Sequence, residues 1–201
     1  MSEPIVPMTP RFAEAFLFAE RLHCSQVRKK TQVPTISHLM AVTALVLENG
    51  GGEDEAIAAL LHDTAEDCGG RPVLEEIRRR FGDPVASIVE DCSDTLESPK
   101  PRWQPRKERY LEHLETAPES TLLVSLADKV HNVRSLVFEY RRVGDQLWQR
   151  FSASQDQTIW YYQSLLEVFR RRCPVQHGPL LDELARALTV LEGLISRTGD
   201  A

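Results

Sequence analysis

The chain has 201 residues, enough for one domain with a real core and short for two. An apolar fraction of 42% and a charged fraction of 27% exclude a disordered chain, and a net charge of −6 argues against a general nucleic-acid binder. No apolar run approaches the roughly 20 residues of a membrane span, and the opening MSEPIVPMTP lacks the basic region and greasy stretch of a secretory signal. Cys24, Cys68, Cys92 and Cys173 form no C-x-x-C pair and no zinc-finger spacing, the usage expected of reduced thiols in a cytoplasmic protein.

Helical periodicity runs through most of the chain. Residues 1–10 read as a flexible tail, and residues 11–197 as one all-α domain of roughly eight to ten helices packed as a bundle. Phe12, Ala15, Phe16, Ala19 and Leu22 predict a first helix from about Arg11 to Ser25. The basic run Arg28-Lys29-Lys30 and a loop follow, then a helix from about Ser37 to Glu48, stopped by Asn49-Gly50-Gly51-Gly52. A third helix is predicted from about Glu53 to Asp67, and Gly69-Gly70 ends it. Shorter helices are expected near Pro72–Phe81 and Pro84–Asp91. Pro99, Pro101 and Pro105 mark Ser93–Pro105 as the long loop. Helices near Arg106–Glu115, Ser120–Tyr140, Ser154–Arg171 and Leu180–Ser196 complete the chain.

The informative segment is Leu60-Leu61-His62-Asp63-Thr64-Ala65-Glu66-Asp67. Acids at the end of a helix meet the negative end of its dipole, so a positive partner is required. His62 beside Asp63 offers a nitrogen and an oxygen to a divalent cation, with further ligands arriving from elsewhere. The competing reading is a solvated acidic helix end.

A second carboxylate stands out downstream. Leu122, Leu126, Val130, Val133 and Val137 form the core face of a strong helix, with Ser125, Asp128, Asn132 and Ser135 on a polar stripe. Asp128, flanked by Leu126, Ala127 and Val130, is expected to be desolvated and so must be paired or coordinating. The alternatives are a metal, Lys129, or an arginine from another helix. His38 opens the second helix beside Leu39 and Met40, where a core histidine is the plain alternative to a ligand.

In this chain order, His38, His62, Asp63 and Asp128 resemble the HD superfamily of metal-dependent phosphohydrolases. His62-Asp63-Thr64-Ala65-Glu66-Asp67 is similar to the H-D-T-x-E-D motif of the RelA/SpoT-type alarmone hydrolases, including their small stand-alone members. His23-x-x-Gln26-x-Arg28-Lys29 resembles their H-x-x-Q-x-R-K element, and Leu126-Ala127-Asp128-Lys129 through Asn132 and Arg134 their L-A-D-K-x-x-N-x-R segment. Phe81-Gly82 falls where that family has the same pair.

The resemblance implies His38, His62, Asp63 and Asp128 as ligands of a divalent metal, manganese by preference. It implies Glu66 and Asp67 as the acids that position and deprotonate water, and Arg28 and Lys29, with Arg134, as phosphate contacts. Asn132 and Tyr161 would hold the ribose. The implied activity is removal of the 3′-pyrophosphate from guanosine polyphosphates. Rival readings are an HD nucleotidase or phosphodiesterase acting on another nucleotide, or a nucleotide sensor without turnover. The expected partner is a small phosphorylated nucleotide, with no nucleic acid or membrane and with a homodimer left open. The chain departs from the family pattern at Thr35-Ile36-Ser37, where a tyrosine is usual, and at His131. Its proline-rich segment is also longer than the family's.

Overall fold

In a computed structural model, which describes residues 7–29 and 31–199, the chain forms ten α-helices and two short 3-10 turns. The helices are α1 Pro10–His23, α2 Ile36–Glu48, α3 Glu53–Leu61, α4 Thr64–Cys68, α5 Arg71–Phe81 and α6 Asp83–Cys92. They continue with α7 Trp103–Leu114, α8 Glu119–Val143, α9 Gln155–Arg172 and α10 Gly178–Gly199. The all-α expectation holds. Extended pairing among the described residues is confined to an isolated bridge between Val27 and Pro34, which closes the loop carrying Arg28 and Lys29.

The longest helix, α8, is the axis of the fold: α2, α3, α6, α9 and α10 all pack against it. Leu122, Leu126, Val130 and Val133 are buried as the apolar stripe predicts, but so are Leu123, Val124 and Ala127. A helix buried nearly all round needs partners for any charge it carries. Asp128 and Lys129 therefore stand out within it.

The first six residues of the expected tail lie outside the described ones. Thr9 is tied down: its side chain accepts from Arg11 N at 3.2 Å, and its own N–H donates to Glu53 at 2.5 Å. Helix α7 starts at Trp103, earlier than expected, because Pro105 falls in its first turn, where a missing N–H leaves no bond unmade. The predicted loop correspondingly shortens to residues 93–102. Two 3-10 segments, Gly144–Arg150 and Val175–His177, were absent from the sequence reading. No helix among the described residues is long and apolar enough to cross a membrane.

One expectation is corrected. The third helix does not run to Asp67; it stops at Leu61, and α4 begins at Thr64. His62 and Asp63 keep right-handed backbone angles, so the chain nearly continues, but Asp63 has ψ −9° and the regular ladder lapses there. Glu66 and Asp67 consequently occupy the first turn of α4 rather than the last turn of α3. In so short a helix they lie near both ends, so the dipole penalty argued from the sequence is largely offset for them. Gly69 and Gly70, at φ 146° and 67°, do end the segment, using a backbone region that side chains avoid.

Candidate metal centre

Three core elements carry the site. The first turn of α2 supplies His38, the junction after α3 supplies His62 and Asp63, and the middle of α8 supplies Asp128. His38 Nε2 lies 3.2 Å from His62 Nε2 and 3.2 Å from Asp128 Oδ1. Asp63 closes the group, with Oδ2 3.5 Å from His38 Nε2 and Oδ1 3.4 Å from His62 Nε2. His38, His62 and Asp128 each offer a ligand atom within 4.8 Å of the others. All four predicted ligand residues thus converge.

The remaining ring atoms are set from behind. His62 Nδ1 donates to the Ala59 carbonyl at 2.8 Å, which in the neutral ring leaves Nε2 with a lone pair facing the cluster. His38 Nδ1 is 2.7 Å from His131 Nδ1. A proton on the His38 side of that bond would turn its Nε2 lone pair inward as well. Burial, then the nearby His38 and Arg28, push the His131 pKa down to about 4, so His131 suits the role of acceptor.

Electrostatics favour a cation at this point. Burial works against a charge on His62, yet Asp63 and Asp128 outweigh it and push its pKa up to about 9. Asp63 and Asp128 are held well below the usual carboxylate range despite burial, Asp63 by His62 and His38, Asp128 first by Lys129. Two imidazole nitrogens and two hard carboxylates around a point that wants positive charge are a donor set that fits a divalent ion.

Asp128 pairs with Lys129, one of its sequence readings, while its other oxygen stays in the cluster. Its Oδ2 accepts from Lys129 Nζ at 2.5 Å, while Oδ1 faces the histidines and accepts from Asn132 Nδ2 at 2.5 Å. Arg28 donates to Asn132 Oδ1 at 2.6 Å, so an arginine from the bridge loop is linked through Asn132 to the centre. Lys129 Nζ lies over the Tyr110 ring, 4.9 Å from its centroid, and Tyr110 Oη pairs with Ser125 at 2.7 Å. Arg28, Asn132 and Asp128 therefore form one chain of contacts.

The two expected acids line the next turn. Glu66 accepts from Lys100 Nζ at 2.8 Å and from Asp94 N at 2.8 Å, and Asp67 lies 3.2 Å from the same ammonium. Lys29 is exposed. Arg134 is committed elsewhere, its Nε donating to Glu183 of α10 at 3.0 Å. Tyr161 is buried, 5.9 Å from Trp103 by ring centroids, with Lys107 Nζ 4.7 Å above its ring. Burial first, and despite Lys129, holds its phenol well above the ordinary value.

Several residues at the site were not expected from the sequence. Lys100 holds both Glu66 and Asp67, while Arg106 and Lys107 are both on Asp94. Nothing in their local pattern marks them, because they lie in or beside a proline-rich segment without periodicity. His23, for which the sequence suggested no partner, is buried with Nδ1 2.7 Å from Gln26 and Nε2 3.2 Å from Thr64. It ties the end of α1 to the His62–Asp67 turn, and its signal was the H-x-x-Q spacing.

A family model described as an HD domain matches residues 15–159. The chain belongs to the HD domain family, which implies a divalent metal. Among curated relatives, it is 40% identical over 126 residues to guanosine-3′,5′-bis(diphosphate) 3′-pyrophosphohydrolase MESH1 of Xenopus tropicalis, covering 61% of this chain and 68% of that one. It is 38% identical over 129 residues to the MESH1 of Homo sapiens, with the same two coverages. Guanosine-3′,5′-bis(diphosphate) 3′-pyrophosphohydrolase of Aquifex aeolicus is 33% identical over 138 residues, 67% of this chain and 19% of that longer one. A solved structure of a metazoan ortholog of SpoT that hydrolyzes ppGpp matches with a TM-score of 0.71 and 25% identity, covering 92% of this chain and 97% of that one.

Proposed function

We propose that the chain is a metal-dependent phosphohydrolase that removes the 3′-pyrophosphate from guanosine polyphosphate alarmones or a closely related nucleotide. The carrying observation is the convergence of four donors from α2, the α3–α4 junction and α8, one helical turn from a pair of acids. The relatives named for this same reaction support it. His38, His62, Asp63 and Asp128 would hold the ion; manganese is the metal the family resemblance suggests, and a mixed imidazole and carboxylate set with open positions is compatible with it. When bound, the ion supplies Lewis acidity toward water and a phosphoryl oxygen.

The chain's own residues account for the rest. Glu66 and Asp67, on the face of the turn next to Asp63, accept the proton of an attacking water. The water oxygen bonds to the phosphorus on the 3′ oxygen, the P–O3′ bond breaks, and the 3′ oxygen takes up a proton. The products are the 5′-nucleotide and pyrophosphate. Arg28, fixed by Asn132, points a guanidinium from the bridge loop toward this centre, with Lys29 beside it in sequence and Arg134 one turn along α8 from His131. Asn132 and Tyr161 take the ribose side.

The test is incubation of purified protein and manganese with a panel of 3′-pyrophosphorylated, monophosphorylated and cyclic nucleotides. Pyrophosphate release from the first group is the expected result. Release only from another group moves the substrate, and binding with no release from any turns the protein into a sensor.

A further inference from the structure

Lys100 sits in the proline-flanked segment between α6 and α7, and its ammonium is shared by the two acids the reaction needs. It lies 2.8 Å from Glu66 Oε1 and 3.2 Å from Asp67 Oδ1. The neighbouring cations have other engagements. Arg106 holds Asp94 and the Pro101 carbonyl, Lys107 holds Asp94 and the Tyr161 ring, Lys129 holds Asp128, and Arg28 holds Asn132. Lys100 differs from Arg106, Lys107 and Lys129 in being 44% exposed, against 11 to 18% for those three. Its partner Asp67 is equally open, at 44%.

We propose that Lys100 is a specificity-determining residue for the outer phosphate of a 3′-pyrophosphate, resting on Glu66 and Asp67 until that phosphate draws it away. This deepens the hydrolase reading and rests on it. A pyrophosphate carries more charge, on more oxygens, than the two carboxylates do. An ammonium on a four-carbon stem can pass from one to the other without moving the backbone. The backbone is held on both sides: Asp94 N stays on Glu66 Oε2 at 2.8 Å, and Arg106 Nε stays on the Pro101 carbonyl at 3.0 Å. Once Lys100 leaves, Asp67 loses the ammonium and Glu66 keeps only the Asp94 amide, so both acids have lone pairs turned to water. A substrate with a single 3′-phosphate has no outer group to make that exchange. The arrangement therefore releases the acids for a pyrophosphate and leaves them occupied for a monophosphate.

Calorimetry and kinetics on the wild type, Lys100→Gln and Lys100→Arg test the assignment. With metal-free protein, Lys100→Gln should weaken inorganic pyrophosphate at least about tenfold and orthophosphate by less than about threefold, with Lys100→Arg close to wild type. In manganese, Lys100→Gln should lose most of the preference for a 3′-pyrophosphate over a 3′-monophosphate nucleotide, through a raised KM and a kcat within about threefold. Unchanged pyrophosphate affinity in Lys100→Gln would overturn the assignment. So would a kcat that falls equally on both substrates with KM unmoved, the mark of a lysine that only balances charge. Melting curves show whether each variant is folded, and Lys100→Arg keeps the question answerable if Lys100→Gln is not. A wild type that releases no pyrophosphate defeats the hydrolase reading instead, a separate result from pyrophosphate binding that ignores Lys100.

Discussion

The site has an inner and an outer half, built in different ways. His38, His62 and Asp128 are buried on or beside helices that pack into the core, and their positions follow from the packing of α2, α3 and α8. Glu66, Asp67 and Lys100 come from a five-residue helix and a proline-flanked loop, and two of the three are nearly half exposed. The inner half cannot shift without repacking the core, whereas the outer half can exchange partners at the cost of exposed ion pairs. In the proposed mechanism, holding the metal would fall to rigid elements, and handling water and phosphate to adaptable ones.

Removing one inner carboxylate at a time gives the largest effects and separates folding from metal binding. Asp128→Ala should abolish turnover and manganese binding, and also destabilise the protein by about 3–5 kcal/mol, because it strands the buried Lys129 ammonium. Asp63→Ala should abolish turnover and metal binding equally, but its side chain is 32% exposed and its loss should cost about 1 kcal/mol or less in the metal-free protein. Thermal unfolding with and without manganese distinguishes them. Wild type should gain stability with excess metal and neither variant should. Equal melting temperatures for the two metal-free variants would erase the proposed difference between a buried and a bordering ligand.

The next effect belongs to the outer half alone. Glu66→Ala should keep manganese-dependent stabilisation and lower kcat by about 10²–10⁴-fold, the usual contribution of a positioned base. Near-normal turnover in this variant would remove Glu66 from the mechanism, and lost metal binding would merge the two halves.

Lys107 lies on their boundary and gives a smaller, pH-dependent effect. Burial first, then the charge of Lys129, push its pKa down to about 7. The carboxylate of Asp94 at 3.2 Å works the other way, but Arg106 already holds that carboxylate, so the downward direction stands. The unfolded chain keeps the ordinary lysine value near 10.5, so between about pH 7 and 10.5 it binds the extra proton. In metal-free protein this residue therefore adds stability as pH rises through that window, by at most about 1.4 kcal/mol per pH unit, and contributes a constant penalty below it. Lys107→Met should flatten that part of the profile, as read by denaturant unfolding at pH 7, 8 and 9.

The inner half was legible in the sequence and the outer half only in part, for a physical reason. His38, His62, Asp63 and Asp128 interrupt strongly apolar helical patterns, and a polar group among core residues announces itself. Lys100 and Asp94 lie in a proline-rich loop with no periodicity, where spacing says nothing about direction. Lys129 is among the partners expected for Asp128, but spacing along α8 could not show that its ammonium is buried over the Tyr110 ring of α7. The dipole argument at His62–Asp67 pointed to a cation from one continuous helix end, which the structure instead divides between α3 and α4. Adjacent imidazole and carboxylate groups after a greasy run carried the inference, and the α3–α4 break at Asp63 is invisible to a pattern of apolar spacing because both residues remain helical in backbone angle.

The smallest predicted effect concerns Arg134, which the family motif points to as a phosphate contact and which pairs with Glu183 across α8 and α10. The pair is 43% and 34% exposed, so it should be worth about 1 kcal/mol or less to the fold. If Arg134 serves phosphate, Glu183 competes with the substrate for its guanidinium, and Glu183→Gln should lower KM by about two- to threefold with kcat unchanged. If Arg134 is only a strut between helices, the same substitution should leave KM alone and lower the melting temperature slightly. Adding 0.5 M salt should shrink the KM difference, since an exposed ion pair is screened while the buried donors around His38 are not.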